Sequence, residues 1–356
     1  MAMVTPPGHS PAEHSPWAVG TEVPEEPAVK SLGRGPALPP RGLSLGSLGA
    51  RFAIIGVWIA LTALYWILKP DTFGTTGTFQ TIFNSQQALV FLTAALLCTI
   101  CVGEFVDMSV ASIFGIAAVI PPVLYTDHGW NVWVAAIVAV LLAAVCGAVN
   151  GILIVYVGVN TIVVTLGMGT LLLGIALWMT NLMPASGLPE SITRIALPQF
   201  LGLPVSFWEG LVLMLAFGYM LQFTPMGRNI RFVGSNREVS RLAGIRVNRL
   251  RFGAFTAAGL IAGLGGVISS AAIGGFDSTV SQTYILPTFA ATFLGTAILQ
   301  PGRFSPVGTL IAVYFLATGI LGLQLLGAAA WVSDVFYGAV LVVAVTISTL
   351  LHARTR

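Results

Sequence analysis

The chain has 356 residues, of which 56% are hydrophobic and 8% are charged, and its formal net charge is +3. Soluble domains carry roughly 25% charged residues, so this composition excludes a surface that mostly faces water. Because helices satisfy their backbone hydrogen bonds internally in lipid, we predict an all-α, polytopic transmembrane helical bundle.

The first 48 residues differ in composition from the rest of the chain. They are rich in Pro, Ser, Gly and Glu, and such a stretch buries too little apolar surface to fold alone. No apolar core of a signal peptide lies near the start. We expect an uncleaved, disordered tail at residues 1–48 and a transmembrane domain at residues 49–351.

About ten apolar stretches follow the tail, and a helix needs about 20 such residues to cross the hydrocarbon. The second and eighth are short, so we expect tilted or broken helices there. The ten stretches are residues 51–69, 84–102, 108–125, 131–157, 161–182, 207–223, 252–273, 283–299, 306–326 and 331–350.

Glu104 and Asp107 lie between the second and third stretches. A charge at the membrane centre costs about 2.5–3.5 kcal/mol on insertion scales, so such side chains face protein or a water-filled cavity. Three interpretations stay open. Asp107 or Ser109 caps the next helix, the two acids line a pathway for a hydroxylated solute, or a protonated carboxyl couples transport to protons. Asn150, flanked by glycines, either packs against a neighbouring helix or belongs to that pathway.

The loop after the sixth stretch contains VGSNREVSRLAGIRVNRLRF. Ser235 and Glu238 match the capping box that begins a helix, and Gly244 suits the left-handed residue that ends one. Val239 and Leu242 share one face of this two-turn helix. The helix is either a connector on the lipid headgroups or a knob that docks into a partner protein.

The basic residues predict the orientation of the chain. With ten spans, both termini lie on the same side as the loop after the sixth span. That side carries most of the Lys and Arg, whereas the opposite loops hold only Lys69 and Arg194. The positive-inside rule places the basic side, and therefore both termini, in the cytoplasm.

The sequence offers no catalytic constellation. Neither lysine, Lys30 or Lys69, lies in a P-loop, and the histidines occur only in tails and loops, at His9, His14, His128 and His352. Cys98 and Cys101 have C-x-x-C spacing, but no second pair accompanies them, so we interpret them as packing residues. We expect no enzyme, cofactor or metal site, and a chain that moves or binds something.

The basic loop FTPMGRNIRFVGSNREVSRLAGIRVNRLRF resembles that of ABC importer permeases of the ribose-type sugar family, in which a short helix with an Ala-Gly pair contacts the ATPase. GAVNGILIVYVGVNTIVVTLGMGTLLLG, AGLIAGLGGVI, FLGTAILQPGRFSPVGTL and FYGAVLVVAV are similar to further segments of the family. The similarity covers about residues 80–350, in the family's order and spacing.

This resemblance implies a permease subunit of the cell membrane that imports a monosaccharide. Its implied partners are two ATPase subunits, an extracytoplasmic solute-binding protein, and a second permease that is identical or related. It favours docking by the coupling loop 225–251, and the expected contact residues are Arg237, Glu238, Val239, Leu242 and Gly244.

The chain departs from the family where GEFVDMSVAS replaces Gly-Gly-Ile-Asp-Leu-Ser-Val-Gly. Glu104 is part of this departure, and the region is expected to line the pathway together with Asp107, Ser109 and Asn150. Two other functions stay open. One is a proton-coupled secondary transporter that uses Glu104 or Asp107, and the other is a permease-like scaffold or receptor without transport.

Overall fold

The computed structural model of the protein describes residues 45–196, 198–300 and 302–353. Most of the predicted tail lies outside these residues, but α1 already begins at Leu45, four residues inside the predicted tail. The helices are α1 Leu45–Leu68, α2 Pro70–Phe73, α3 Thr76–Asn84, α4 Gln87–Ile100, α5 Val110–Thr126, α6 Val132–Gly151, α7 Thr161–Met179, α8 Glu190–Ala196, α9 Val205–Phe223, α10 Pro225–Ser235, α11 Arg237–Leu242, α12 Val247–Ile273, α13 Val280–Thr283, α14 Ile285–Leu294, α15 Pro306–Leu325 and α16 Trp331–Ala353. A π-helical turn, Ile152–Val157, continues α6, and a 3-10 turn, Gly295–Ala297, continues α14.

Each of the ten predicted apolar stretches contains a helix, and the fold is mostly helical as expected. Six helical segments of the described chain are long and apolar enough to cross a membrane: Thr76–Ile100, Val132–Val157, Thr161–Met179, Val205–Phe223, Val247–Ile273 and Pro306–Leu325. The second stretch is interrupted at Ser85 and Gln86. The eighth corresponds to the ten-residue α14. The number of ten spans stays a prediction.

The centre of the bundle is α12, which packs against α4, α5 and α6. Gly259 of α12 faces Gly147 of α6 so closely that a Cβ on either residue would overlap the backbone of the other helix. Small residues allow such close helix packing in membranes. α12 therefore contacts three neighbouring helices at once.

Four two-residue strands form two antiparallel pairs. β1 (Ala185–Ser186) pairs with β4 (Gly275–Phe276), and β2 (Gln199–Phe200) pairs with β3 (Leu203–Pro204). The β1–β4 pair joins the connection after α7 to the end of α12. It fastens this end of α12, while the start of α12 lies beside the α10–α11 loop.

Candidate functional site

Glu104 lies in the connection between α4 and α5 and is 5% exposed. Its Oε1 accepts hydrogen bonds from Arg237 Nη2 at 2.7 Å and from Arg251 Nε at 2.8 Å. Its Oε2 accepts a bond from the Thr161 hydroxyl at 2.7 Å. The carboxylate therefore joins α11, α12 and the start of α7 at one point, and two guanidinium groups offset the cost of burying its charge.

Backbone contacts hold the same region together. Arg237 Nη2 also donates to the Gly103 carbonyl at 2.8 Å, and Gly103 has a φ of +84°, which favours glycine. Gly234, near the end of α10, lies so close to the Cys101 carbonyl that a Cβ would overlap it. The junction of α10 and α11 is thus held against the α4–α5 connection by the Arg237–Glu104 ion pair and by the close approach of the Gly234 and Cys101 backbones.

The sequence predictions placed Glu104 in the pathway and Arg237 at the ATPase contact, but the structure brings the two residues together. The Arg237 guanidinium is already bound inside the chain, by Glu104 and Gly103. Arg251 and Thr161 were missed. A carboxylate in so apolar a chain needs a cation, yet sequence spacing does not select Arg251 from the many arginines of the loop.

Asp107, Ser109 and Asn150 form a second buried polar cluster. Asp107 Oδ1 accepts bonds from the Ser109 backbone N–H at 3.1 Å and from its hydroxyl at 2.6 Å, and Asn150 Nδ2 donates to Ser109 Oγ at 2.8 Å. Asn150 Oδ1 has no partner among the described residues. Burial raises the pKa of Asp107 to about 6, although the bonds from Ser109 act in the opposite direction. The cluster ties the start of α5 to α6.

The interpretation that the Ser109 side chain caps α5 is wrong. Ser109 occupies the position before α5, but its side chain accepts no hydrogen bond from the helix backbone. Asp107 accepts from Ser109 itself, ahead of the helix. Three cavities of the described chain are lined by residues other than Glu104, Asp107, Ser109 and Asn150. Their pathway role stays a prediction.

The predicted capping box at α11 is also wrong. Ser235 still belongs to α10, where its hydroxyl donates to the Arg231 carbonyl at 2.9 Å. Asn236 caps α11 instead, since its Oδ1 accepts from the Val239 backbone N–H at 3.0 Å. Ser and Asn are both favoured N-cap residues, and α10 extends one residue further than the motif allows. Glu238 forms a surface ion pair with Arg241 at 3.3 Å.

The outer face of α11 is apolar and exposed. Leu242 is 88% exposed and Val239 is 56% exposed, whereas Ser240 is buried on the opposite face. Gly244 has a φ of +78°, the left-handed conformation expected after the end of this helix. Arg237 therefore holds one side of α11 against the rest of the chain, while two aliphatic side chains on the other side are exposed.

Comparisons with known proteins identify the family. Residues 80–345 match the family described as "Branched-chain amino acid transport system / permease component". The autoinducer 2 import system permease protein LsrC of Klebsiella pneumoniae is 32% identical over 298 residues, which are 83% of each chain. LsrC of Salmonella typhi is 30% identical over 292 residues, which are 82% of each chain.

A second type of relative is the autoinducer 2 import system permease protein LsrD of Salmonella typhi. It is 31% identical over 268 residues, which are 74% of this chain and 80% of LsrD. No solved structure matches the chain. Since the family match spans most of the sequence, the chain belongs to this permease family and is a membrane subunit of an ABC importer, with no catalytic role of its own.

Proposed function

We propose that α11 is the element through which this permease docks onto its ATPase. The observation that carries the proposal is the exposure of Leu242 on a helix whose other side is anchored through Arg237 and Glu104. A fully buried Leu contributes roughly 1.5–3 kcal/mol. Leu242 and Val239 together therefore provide enough apolar contact to hold a small helix in a groove of a partner.

The ion pairs of Glu104 supply a route from the docking helix to the bundle. Arg237 connects α11 to Glu104, and Arg251 connects Glu104 to α12. A displacement of α11 by the ATPase is thereby transmitted to the central helix. Under this proposal, ATP binding and hydrolysis switch the permease between outward and inward access.

The other proposed partners are a second permease, identical or related, and an extracytoplasmic binding protein. The relatives are named for import of autoinducer 2, and the resemblance in sequence implies a monosaccharide. We propose a small, neutral, sugar-like solute, handed over by the binding protein.

We also propose ten spans with both termini in the cytoplasm. In that topology the connection that contains Glu104, the loop that contains Arg237 and the start of α7 at Thr161 all lie on the cytoplasmic side, and the contacts of Glu104 with Arg237 and Thr161 support it. The connections that contain β1 and β4 are both extracytoplasmic, and their pairing supports it equally.

Uptake by reconstituted vesicles tests this function against the proton-coupled alternative. With permease, ATPase and binding protein present, uptake of labelled D-ribose or autoinducer 2 is expected only when ATP is supplied on the ATPase side. The ATPase is expected to co-purify with the permease. Uptake driven by a proton gradient without the ATPase would instead support the proton-coupled alternative.

Cysteine labelling tests the orientation. In a chain whose three cysteines are replaced by alanine, Leu242→Cys and Met183→Cys place exposed thiols on opposite sides of the proposed topology. With the permease expressed alone, an impermeant maleimide should label Met183→Cys in intact cells and Leu242→Cys only in inside-out vesicles. The reverse pattern, or labelling of both from one side, contradicts the ten-span topology.

A further inference from the structure

A polar cavity of about 430 Å³ lies between the α3–α4 segment, the β2–β3 pair, the end of α12 and the start of α14. Its volume falls within the roughly 300–1,000 Å³ of small-molecule sites. The lining side chains are mostly amides, hydroxyls and aromatic rings. The polar side chains include Gln80, Asn84, Gln199, Ser269 and Tyr284.

No charged residue of the described chain lines this cavity. An amino acid at neutral pH carries both an ammonium and a carboxylate group, and burying a charge without a partner is costly. Amides and hydroxyls instead donate to and accept from the hydroxyl groups of a neutral molecule. The cavity is therefore chemically suited to a polyhydroxylated solute and poorly suited to a zwitterion.

Several polar groups of the lining have no hydrogen-bond partner in the described part of the chain. Ser269 is 6% exposed, and its hydroxyl has no hydrogen-bond partner among the described residues. In the same described part of the chain, the side-chain amides of Gln80 and Gln199 take part in no hydrogen bond. A buried hydroxyl without a partner carries a free-energy cost, which a bound ligand that hydrogen-bonds to it would remove.

The cavity lies at the end of the bundle opposite the Glu104 site. Arg251, which binds Glu104, and Ser269, which lines the cavity, both belong to α12. At 1.5 Å per residue, they are separated by roughly 27 Å along the helix, close to the thickness of the hydrocarbon core of about 30 Å. In the proposed orientation the cavity therefore opens on the extracytoplasmic side.

We propose that this cavity is a binding site for a neutral, polyhydroxylated small molecule, at which the permease receives its solute. The claim that the solute enters the permease at this cavity rests on the proposed import function. The preference of the cavity for neutral, polyhydroxylated molecules rests on its lining alone. Comparison of Ser269 with Ser270 distinguishes a role in ligand binding from a role in the structure of α12. Both hydroxyls are buried and unpartnered in the described chain, but only Ser269 lines the cavity.

The test measures binding of D-ribose to the full-length permease in lipid nanodiscs, without ATPase, by saturation-transfer difference NMR. Ribose should bind and L-leucine should not. Ser269→Ala should weaken ribose binding roughly threefold to tenfold, as expected for one hydrogen bond, and Ser270→Ala should leave it unchanged. Gln80→Ala, on a different helix, should weaken binding independently. Thermal unfolding of each variant checks that it is folded.

Three results would overturn the proposal: no transfer to ribose, equal transfer to leucine, or equal losses in the Ser269 and Ser270 variants. Binding by the isolated permease does not depend on ATP-driven uptake. Ribose binding without ATP-driven uptake would therefore refute the proposed import function but support the binding site. Uptake without ribose binding in the nanodisc would support the import function but refute the binding site.

Discussion

Leu242→Glu is expected to abolish uptake while leaving the permease inserted and folded. The substitution removes the apolar contact of a side chain that is 88% exposed in the isolated chain, worth roughly 1.5–3 kcal/mol once buried by a partner. It also brings an unpaired carboxylate into an apolar groove, which adds a desolvation cost. At 1.4 kcal/mol per factor of ten, a combined loss of more than about 3 kcal/mol weakens the association over 100-fold.

The measurement is co-purification of the ATPase, together with uptake and with the stimulation of ATP hydrolysis by loaded binding protein. Leu242→Met is the matched control, because it keeps an aliphatic side chain of similar volume and should retain uptake. Membrane levels and dimer formation of both variants should equal those of the wild type. If Leu242→Glu binds the ATPase and supports uptake normally, α11 is a connector and not the docking element.

Glu104→Gln should cause the second large loss, because it removes the negative charge from a buried group that binds two arginines. Loss of one partner of a buried ion pair costs about 3–5 kcal/mol, and this cost applies mainly to Arg251, whose side chain is 14% exposed, because water can solvate Arg237, which is 38% exposed. Arg237 and Arg251 would then lose the group that joins α11 to α12. We expect at least a tenfold fall in uptake, a lower melting temperature, and faster hydrogen exchange in α11.

Glu238→Gln provides the matched control for this variant. Glu238 is also a glutamate paired with an arginine of α11, but both side chains of that pair are exposed, and such pairs contribute about 0–1 kcal/mol. Its uptake and melting temperature should stay close to those of the wild type. Equal behaviour of the Glu104 and Glu238 variants would show that the buried pair does not couple the loop to the bundle.

Much of the helical architecture could be predicted from hydropathy, because apolar stretches near the length of a membrane span have few alternatives to a helix. The boundaries inside the basic loop could not. Ser235 and Asn236 are adjacent and both suit an N-cap, and only the continuation of α10 decides between them. Local sequence contains no signal for where the preceding helix stops.

The contacts of the site depend on distant parts of the chain. Glu104 meets Arg237 across 133 positions and Arg251 across 147 positions. The sequence indicated that a buried carboxylate requires a positively charged partner. Which arginines serve as partners depends on how α4, α7, α11 and α12 pack together. The β1–β4 pair and the polar cavity were missed for the same reason. Each is built from segments that are far apart in the sequence, and a helical pattern within one segment does not show which other segments it contacts.

The long separation between Glu104 and its arginines has a consequence for biosynthesis. Ribosomes add about 5–20 residues per second, so Arg237, made 133 residues after Glu104, follows it after roughly 7–27 s. Throughout that interval the nascent chain contains the carboxylate without either of its arginine partners. Because Glu104 lies in a connection outside the helices, water and lipid headgroups can solvate it while the segments from α5 to α9 are synthesised. The ion pair that holds α11 therefore forms only after α1 to α10 have been synthesised.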